Sequence, residues 1–214
     1  ADALNKRILA IDTQLGRIDN PVELSHGELD LRANAVARAL VARGYERGDR
    51  IAILAANSAD YLVTYLGTMR AGMISVPVNW RFPPETIAYI LDDCDAKIVF
   101  ADAIRRDAVP DGLPVIEFGA DFQAFLNPGP FQVVSCGRDE VAMFLYTSGS
   151  TGKPKGVPLT HHGHLWVIEM RSKGGDISSH RLLVAAPLYH MNALAIAKAA
   201  LLGHAAIVLL PQFT

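Results

Sequence analysis

Apolar residues recur along the chain at two alternating spacings, and most changes of spacing fall at Gly, Pro, Asn or Ser. Leu31, Val36, Leu40 and Val41 share a helical spacing; Ser25 with Glu28 carries the capping-box signature at its start and Gly44 a left-handed stop at its end. The run R-I-A-I-L-A at 50–55, bounded by Gly48-Asp49 and Asn57-Ser58, predicts a buried strand. A second helix from Ala59 gathers Tyr61, Leu62, Tyr65, Leu66 and Met69 on one face and stops at Gly72, with a strand next at 74–78. Pro83-Pro84 opens a third helix through Ile87, Ile90 and Leu91, and strands follow at 97–100 and 114–118.

Between Phe118 and Asp139 the composition turns to Gly, Pro, Asn and Phe, and Asn127-Pro128-Gly129-Pro130 is a strong turn signal. This predicts a first α/β sub-domain at 1–120, a linker at 121–140 and the start of a second α/β sub-domain at 141–214. In the latter, strands at 141–146, 182–186 and 205–210 alternate with helices at 160–171 and 193–202, the second closed by Gly203. Strands that are apolar almost throughout, alternating with helices, predict an α/β fold of mixed, largely parallel sheets with helices on both faces.

Charge and composition narrow the function. Twenty Lys and Arg stand against 22 Asp and Glu, a formal net charge of −2, and no basic block tracks a phosphate backbone, so nucleic acid is not expected as a partner. Cys94 and Cys136 belong to no CxxC or Cys/His cluster and read as buried thiols of a reducing compartment. Neither a membrane-length apolar run nor a signal-peptide core is present, which predicts a cytoplasmic protein with no membrane span.

Candidate chemistry concentrates after the strand at 141–146, in T-S-G-S-T-G-K-P-K-G, residues 147–156. Glycines let a backbone approach phosphate, successive N–H groups make an anion cradle, hydroxyls add donors and lysine supplies charge. The stretch is not a P-loop: from Gly149 the required Gly-Lys falls on Pro154-Lys155, and Gly152-Lys153 is followed by proline. Pro154 also lacks the N–H and blocks the helix on which a P-loop depends. The dinucleotide pattern GxGxxG fails as well, because Gly149, Gly152 and Gly156 are wrongly spaced. His161, His162 and His164 read as a helix start, and no metal site is expected from them.

F-L-Y-T-S-G-S-T-G-K-P-K-G-V resembles, almost residue for residue, the signature phosphate loop of the adenylate-forming superfamily of acyl-CoA synthetases, luciferases and peptide-synthetase adenylation domains. Gly48 to Ile53 with Asn57-Ser58 is similar to the family's early GDRVAI and N-S segment. Ala71-Gly72 through Val76-Pro77-Val78-Asn79 resembles its AGAVxVPVN turn, and Pro187-Leu188-Tyr189-His190 its PLFH segment. The resemblance runs from about residue 24 to residue 214.

The resemblance implies AMP-forming activation of a small carboxylic acid by ATP with Mg2+, followed by transfer of the acyl group to coenzyme A. Carried over by position, Thr147, Ser148, Ser150 and Thr151 donate hydroxyls, Gly149 and Gly152 admit the phosphates, and Lys155, with Lys153 as the second lysine, supplies charge. His190 takes the catalytic position beside the carboxylate, and Met191 and Asn192 begin an acyl pocket whose apolar Met191 to Leu194 stretch favours a fatty or aromatic acid. An adenylation domain or fatty acyl-AMP ligase loading a carrier-protein thiol is the alternative within the class; a non-catalytic ATP-binding relative is the alternative outside it. The family's later elements, an aromatic-Gly-x-Thr-Glu segment, a ribose-binding Asp and a C-terminal lysine, have no counterpart in the 214 residues. The expectation is an N-terminal portion, lacking the rest of the large domain and the C-terminal domain, inactive alone and open to self-association through exposed sheet edges.

Overall fold

The computed structural model describes residues 7–10, 22–147, 152–172 and 174–211. Strands β1 (Arg7–Ala10) and β2 (Val22–Ser25) come first, followed by α1 (His26–Ala42), β3 (Arg50–Leu54), α2 (Ala59–Arg70), β4 (Ile74–Pro77), α3 (Pro84–Asp93), β5 (Ala96–Ala101) and β6 (Val115–Glu117). Next are α4 (Ala120–Phe125), the hairpin β7 (Val141–Thr147) and β8 (Lys155–Thr160), α5 (His161–Ser172), β9 (Arg181–Val184), α6 (Met191–Leu202) and β10 (Ala206–Leu209).

The fold is mixed α/β. Its larger sheet has the order β6-β5-β3-β4-β7-β8, parallel as far as β7, with β8 antiparallel at the edge. The smaller has the order β2-β1-β10-β9, in which only β2 is antiparallel. Both sheets draw strands from either side of residues 121–140: β7 and β8 extend the sheet of β3 to β6, while β1 and β2 join β10.

Local signals set most element ends. Ser25 accepts a hydrogen bond from the Glu28 N–H, Glu28 accepts one from the Ser25 N–H, and Gly44 beyond α1 has φ +87°. The buried stripe of α1 is nevertheless Leu29, Ala33, Val36 and Leu40, and Leu31 and Val41 are 65% and 49% exposed. The apolar spacing that includes Leu31 and Val41 is therefore wider than the face α2 covers. At that contact Gly67 has no room for a side chain, since an added Cβ would lie 2.6 Å from Val36 Cβ and 2.7 Å from the Ala33 carbonyl oxygen.

Two elements depart from the expected pattern. The segment 121–140 opens with α4, whose Phe122 and Phe125 pack edge-on against Phe100 at 6.0 and 5.1 Å and so belong to the main core. Residues 155–160 form β8, with Pro158 opposite Phe144; an edge strand tolerates a proline that a central one would not. Both cysteines are free, Cys94 buried and Cys136 only half-buried. No helix among the described residues is long and apolar enough to cross a membrane.

Candidate functional site

The hydroxyl- and glycine-rich stretch joins β7 to β8. Thr147 ends β7 and pairs in register with Lys155, the first residue of β8, and both are exposed. Ser148, Gly149, Ser150 and Thr151 lie outside the described residues. Gly152 has φ +88°, and Lys153 lies with its Nζ 4.9 Å from the centroid of the Tyr89 ring on α3. The base of the hairpin is fastened to the same helix, because the Tyr146 hydroxyl donates to Asp93 Oδ2 at 2.6 Å. Gly156, opposite Tyr146 in the ladder, makes room for that ring: an added Cβ would come within 3.0 Å of it.

His190 arrives from the other sheet. It caps α6 in an extended conformation, its N–H donating to the Pro187 carbonyl at 2.9 Å and its carbonyl accepting from the Leu194 N–H at 3.3 Å. The turn before it is held by Asn57, a buried residue between β3 and α2. Asn57 Nδ2 donates to the carbonyls of Ala186 and Leu210 at 2.9 Å each, and its Oδ1 accepts from the Leu188 N–H at 2.7 Å. One amide thus bridges the two sheets, and Asn57 holds the turn that carries the histidine.

The adjoining Tyr189 is buried, with Trp80 edge-on at 6.2 Å, and Arg105 stacks on Trp80 at 4.0 Å while its guanidinium pairs with Asp102 at 2.5 Å. Tyr189 and His190 rings are 4.6 Å apart. Desolvation, and then the Arg81 guanidinium, hold the His190 imidazole below its ordinary pKa, so the ring is neutral at pH 7.

Thr147 and His190 meet on one cavity of about 280 Å³, lined also by Pro77, Asn79, Phe82, Leu145, Tyr146 and Tyr189. Its walls mix apolar side chains with the polar groups of Asn79, Thr147 and His190, a make-up compatible with a small-molecule site. Sequence reasoning missed Asn79, Phe82, Tyr146 and Tyr189 as lining residues. Three of them stand inside motifs, V-P-V-N, F-L-Y-T and P-L-Y-H, but nothing local says which motif residues face inward. Met191 is half-buried against the main core, Asn192 is exposed, and neither lines this cavity.

The three neighbouring histidines diverge. His162 Nε2 meets Arg138 at 2.5 Å, whereas buried His164 takes a hydrogen bond at Nδ1 from Lys198 Nζ at 2.5 Å. Lys198, on α6, also reaches the Tyr65 hydroxyl at 3.4 Å. Desolvation pushes His164 down to about 3 and Lys198 down to about 8. Among the described residues no group of three His, Cys, Asp or Glu side chains converges on a point where a metal ion would sit.

The two α/β sheets thus bring the end of the glycine- and hydroxyl-rich hairpin and His190 to one cavity, an arrangement similar to the adenylate-forming class. The chain belongs to the family of AMP-binding enzymes, whose profile matches residues 5–214. It is similar to the long-chain-fatty-acid–CoA ligase FadD13 of Mycobacterium tuberculosis, with 31% identity over 204 residues, 90% of this chain and 41% of that protein. One polypeptide of the mycosubtilin synthase of Bacillus subtilis is 36% identical over 139 residues, 65% of this chain and 5% of that polypeptide. Among solved structures, ATP-bound MatB from Rhodopseudomonas palustris superposes with a TM-score of 0.81 at 31% identity, over 98% of this chain and 43% of that one. The chain thus spans less than half the length of these relatives.

Proposed function

We propose that this chain contributes the phosphate loop and part of the acid site of an AMP-forming acyl-CoA ligase. The observation that carries the reading is the convergence of Thr147 and His190 on one cavity. The carboxylate of the acid attacks the α-phosphorus of ATP, the bond to the β-phosphate breaks, and acyl-adenylate and pyrophosphate result. The thiol of coenzyme A then attacks the acyl carbon and AMP departs.

The residues suit those steps. Thr147 offers a hydroxyl at the cavity edge, and Lys155, opposite it in the ladder, offers a cation to the leaving pyrophosphate. Ser148, Gly149, Ser150, Thr151 and Gly152 complete the cradle in this reading. Lys153, whose ammonium lies over the half-buried Tyr89 ring, is the second cation of the loop in this reading. A neutral His190 orients a carboxylate by hydrogen bonding without the tight ion pair that would blunt its nucleophilicity. Mg2+ would be held by the substrate phosphates and one or two carboxylates rather than by a full protein cage, in keeping with the lack of a converging group of three His, Cys, Asp or Glu among the described residues. When bound it neutralises charge on the phosphates.

ATP–pyrophosphate exchange on the full-length protein, across carboxylic acids from acetate to long-chain and aromatic acids, tests the first step. Exchange with none of them removes the reading. The similarity to mycosubtilin synthase supports a second acceptor, the thiol of a carrier protein. Release of AMP with coenzyme A as the sole thiol decides for the ligase, and its absence decides for the carrier.

A further inference from the structure

Asp93, at the last turn of α3, belongs to none of the motifs above, yet both of its carboxylate oxygens are engaged by tyrosines. Oδ2 accepts from the Tyr146 hydroxyl at 2.6 Å and Oδ1 from the Tyr89 hydroxyl at 3.2 Å. Tyr146 immediately precedes Thr147 and lines the cavity, and Tyr89 carries Lys153 on its ring. The two shoulders of the loop, one on β7 and one just before β8, therefore rest on a single carboxylate.

Two further features agree. Gly156 is the residue whose lack of a side chain lets the Tyr146 ring cross β8 towards Asp93. The phenol of Tyr146 is held well above its ordinary pKa by burial and by the Asp93 bond, so it remains a donor throughout the physiological range. Holding the two residues that flank a binding segment in place beforehand lowers the ordering cost of binding.

We propose that Asp93 is a positioning residue for nucleotide binding: through Tyr146 and Tyr89 it pins both shoulders of the phosphate loop to α3. It touches no substrate itself. The proposal rests on the reading that the loop holds the phosphates of ATP.

The test uses Asp93→Ala, Tyr146→Phe and the double variant of the full-length protein. Tyr146→Phe removes one hydroxyl and keeps the ring over Gly156. ATP affinity is read by titration, and KM is measured for ATP, acid and coenzyme A. Each single variant is expected to weaken ATP binding and raise KM for ATP about five- to tenfold, with the other two KM values within about twofold. The double variant is expected to be no worse than Asp93→Ala alone, because the two groups act through one bond. Unchanged ATP affinity in Tyr146→Phe overturns the proposal, as does a parallel rise in all three KM values with a lower melting temperature, which marks a merely structural bond. A wild-type protein that binds no ATP overturns the phosphate-loop reading itself.

Discussion

At the scale of single residues, charge and protonation make the site testable. Lys155 is exposed at the start of β8, so Lys155→Ala is expected to change unfolding free energy by less than about 0.5 kcal/mol. Deleting a cation at the leaving group is expected to lower kcat/KM for ATP by about ten- to a hundredfold. Exchange kinetics beside urea denaturation separate the two, and unaltered kinetics would make Lys155 a surface residue. His190 yields a pH prediction. Its folded pKa lies below the ordinary value of 6.5, so the neutral ring persists through pH 7 and protonation sets in only at more acidic pH. The acidic limb of kcat/KM for the acid should therefore fall below 6.5 and vanish in His190→Asn; a limb above 6.5 would assign the titration to another group.

At the scale of elements, close approach decides more than propensity. Helices α1 and α2 touch where Gly67 faces Ala33 and Val36, and a methyl group there has nowhere to go without backbone movement. Gly67→Ala would raise helix propensity and still is expected to cost roughly 1–3 kcal/mol by overpacking, read as a lower urea midpoint with an unchanged m-value. A stabilised variant would show that the two helices slide apart freely. The hairpin follows the same logic. Gly156, which resembles just another loop glycine in sequence, is the place where β8 gives way to the Tyr146 ring. The cap of α1, by contrast, is wholly local: Ser25 with Glu28 is visible from residue type and spacing alone.

At the scale of the molecule, Asn57 ties the two sheets together, and the Lys198–His164–Tyr65 group ties α6, α5 and α2. That second group makes stability depend on pH. Lys198 is held down to about 8 in the folded chain against 10.5 when exposed, so between those values the unfolded state binds more protons and stability rises with pH. His164 is held down to about 3 against 6.5, so stability falls as pH drops through that window. Melting temperatures across pH are expected to climb from about pH 8 towards about pH 10 in the wild type more than in Lys198→Met, which keeps the stem and removes the amine. Identical slopes in the two proteins would refute this.

The sequence by itself determined the alternation of helix and strand, the caps, the failure of the P-loop pattern and, through T-S-G-S-T-G-K-P-K-G, the family, because each depends on residues close together in the chain. The tertiary structure alone decided that Leu31 and Val41 face outward, that Phe122 and Phe125 join the core from a segment rich in turn residues, and that β8 runs antiparallel at an edge. It decided too that Thr147 and His190 share a cavity while Met191 and Asn192 do not line it. The reason is physical: a local pattern records that a face is apolar, whereas what covers that face, and which side chains meet across it, depends on elements far away in the chain.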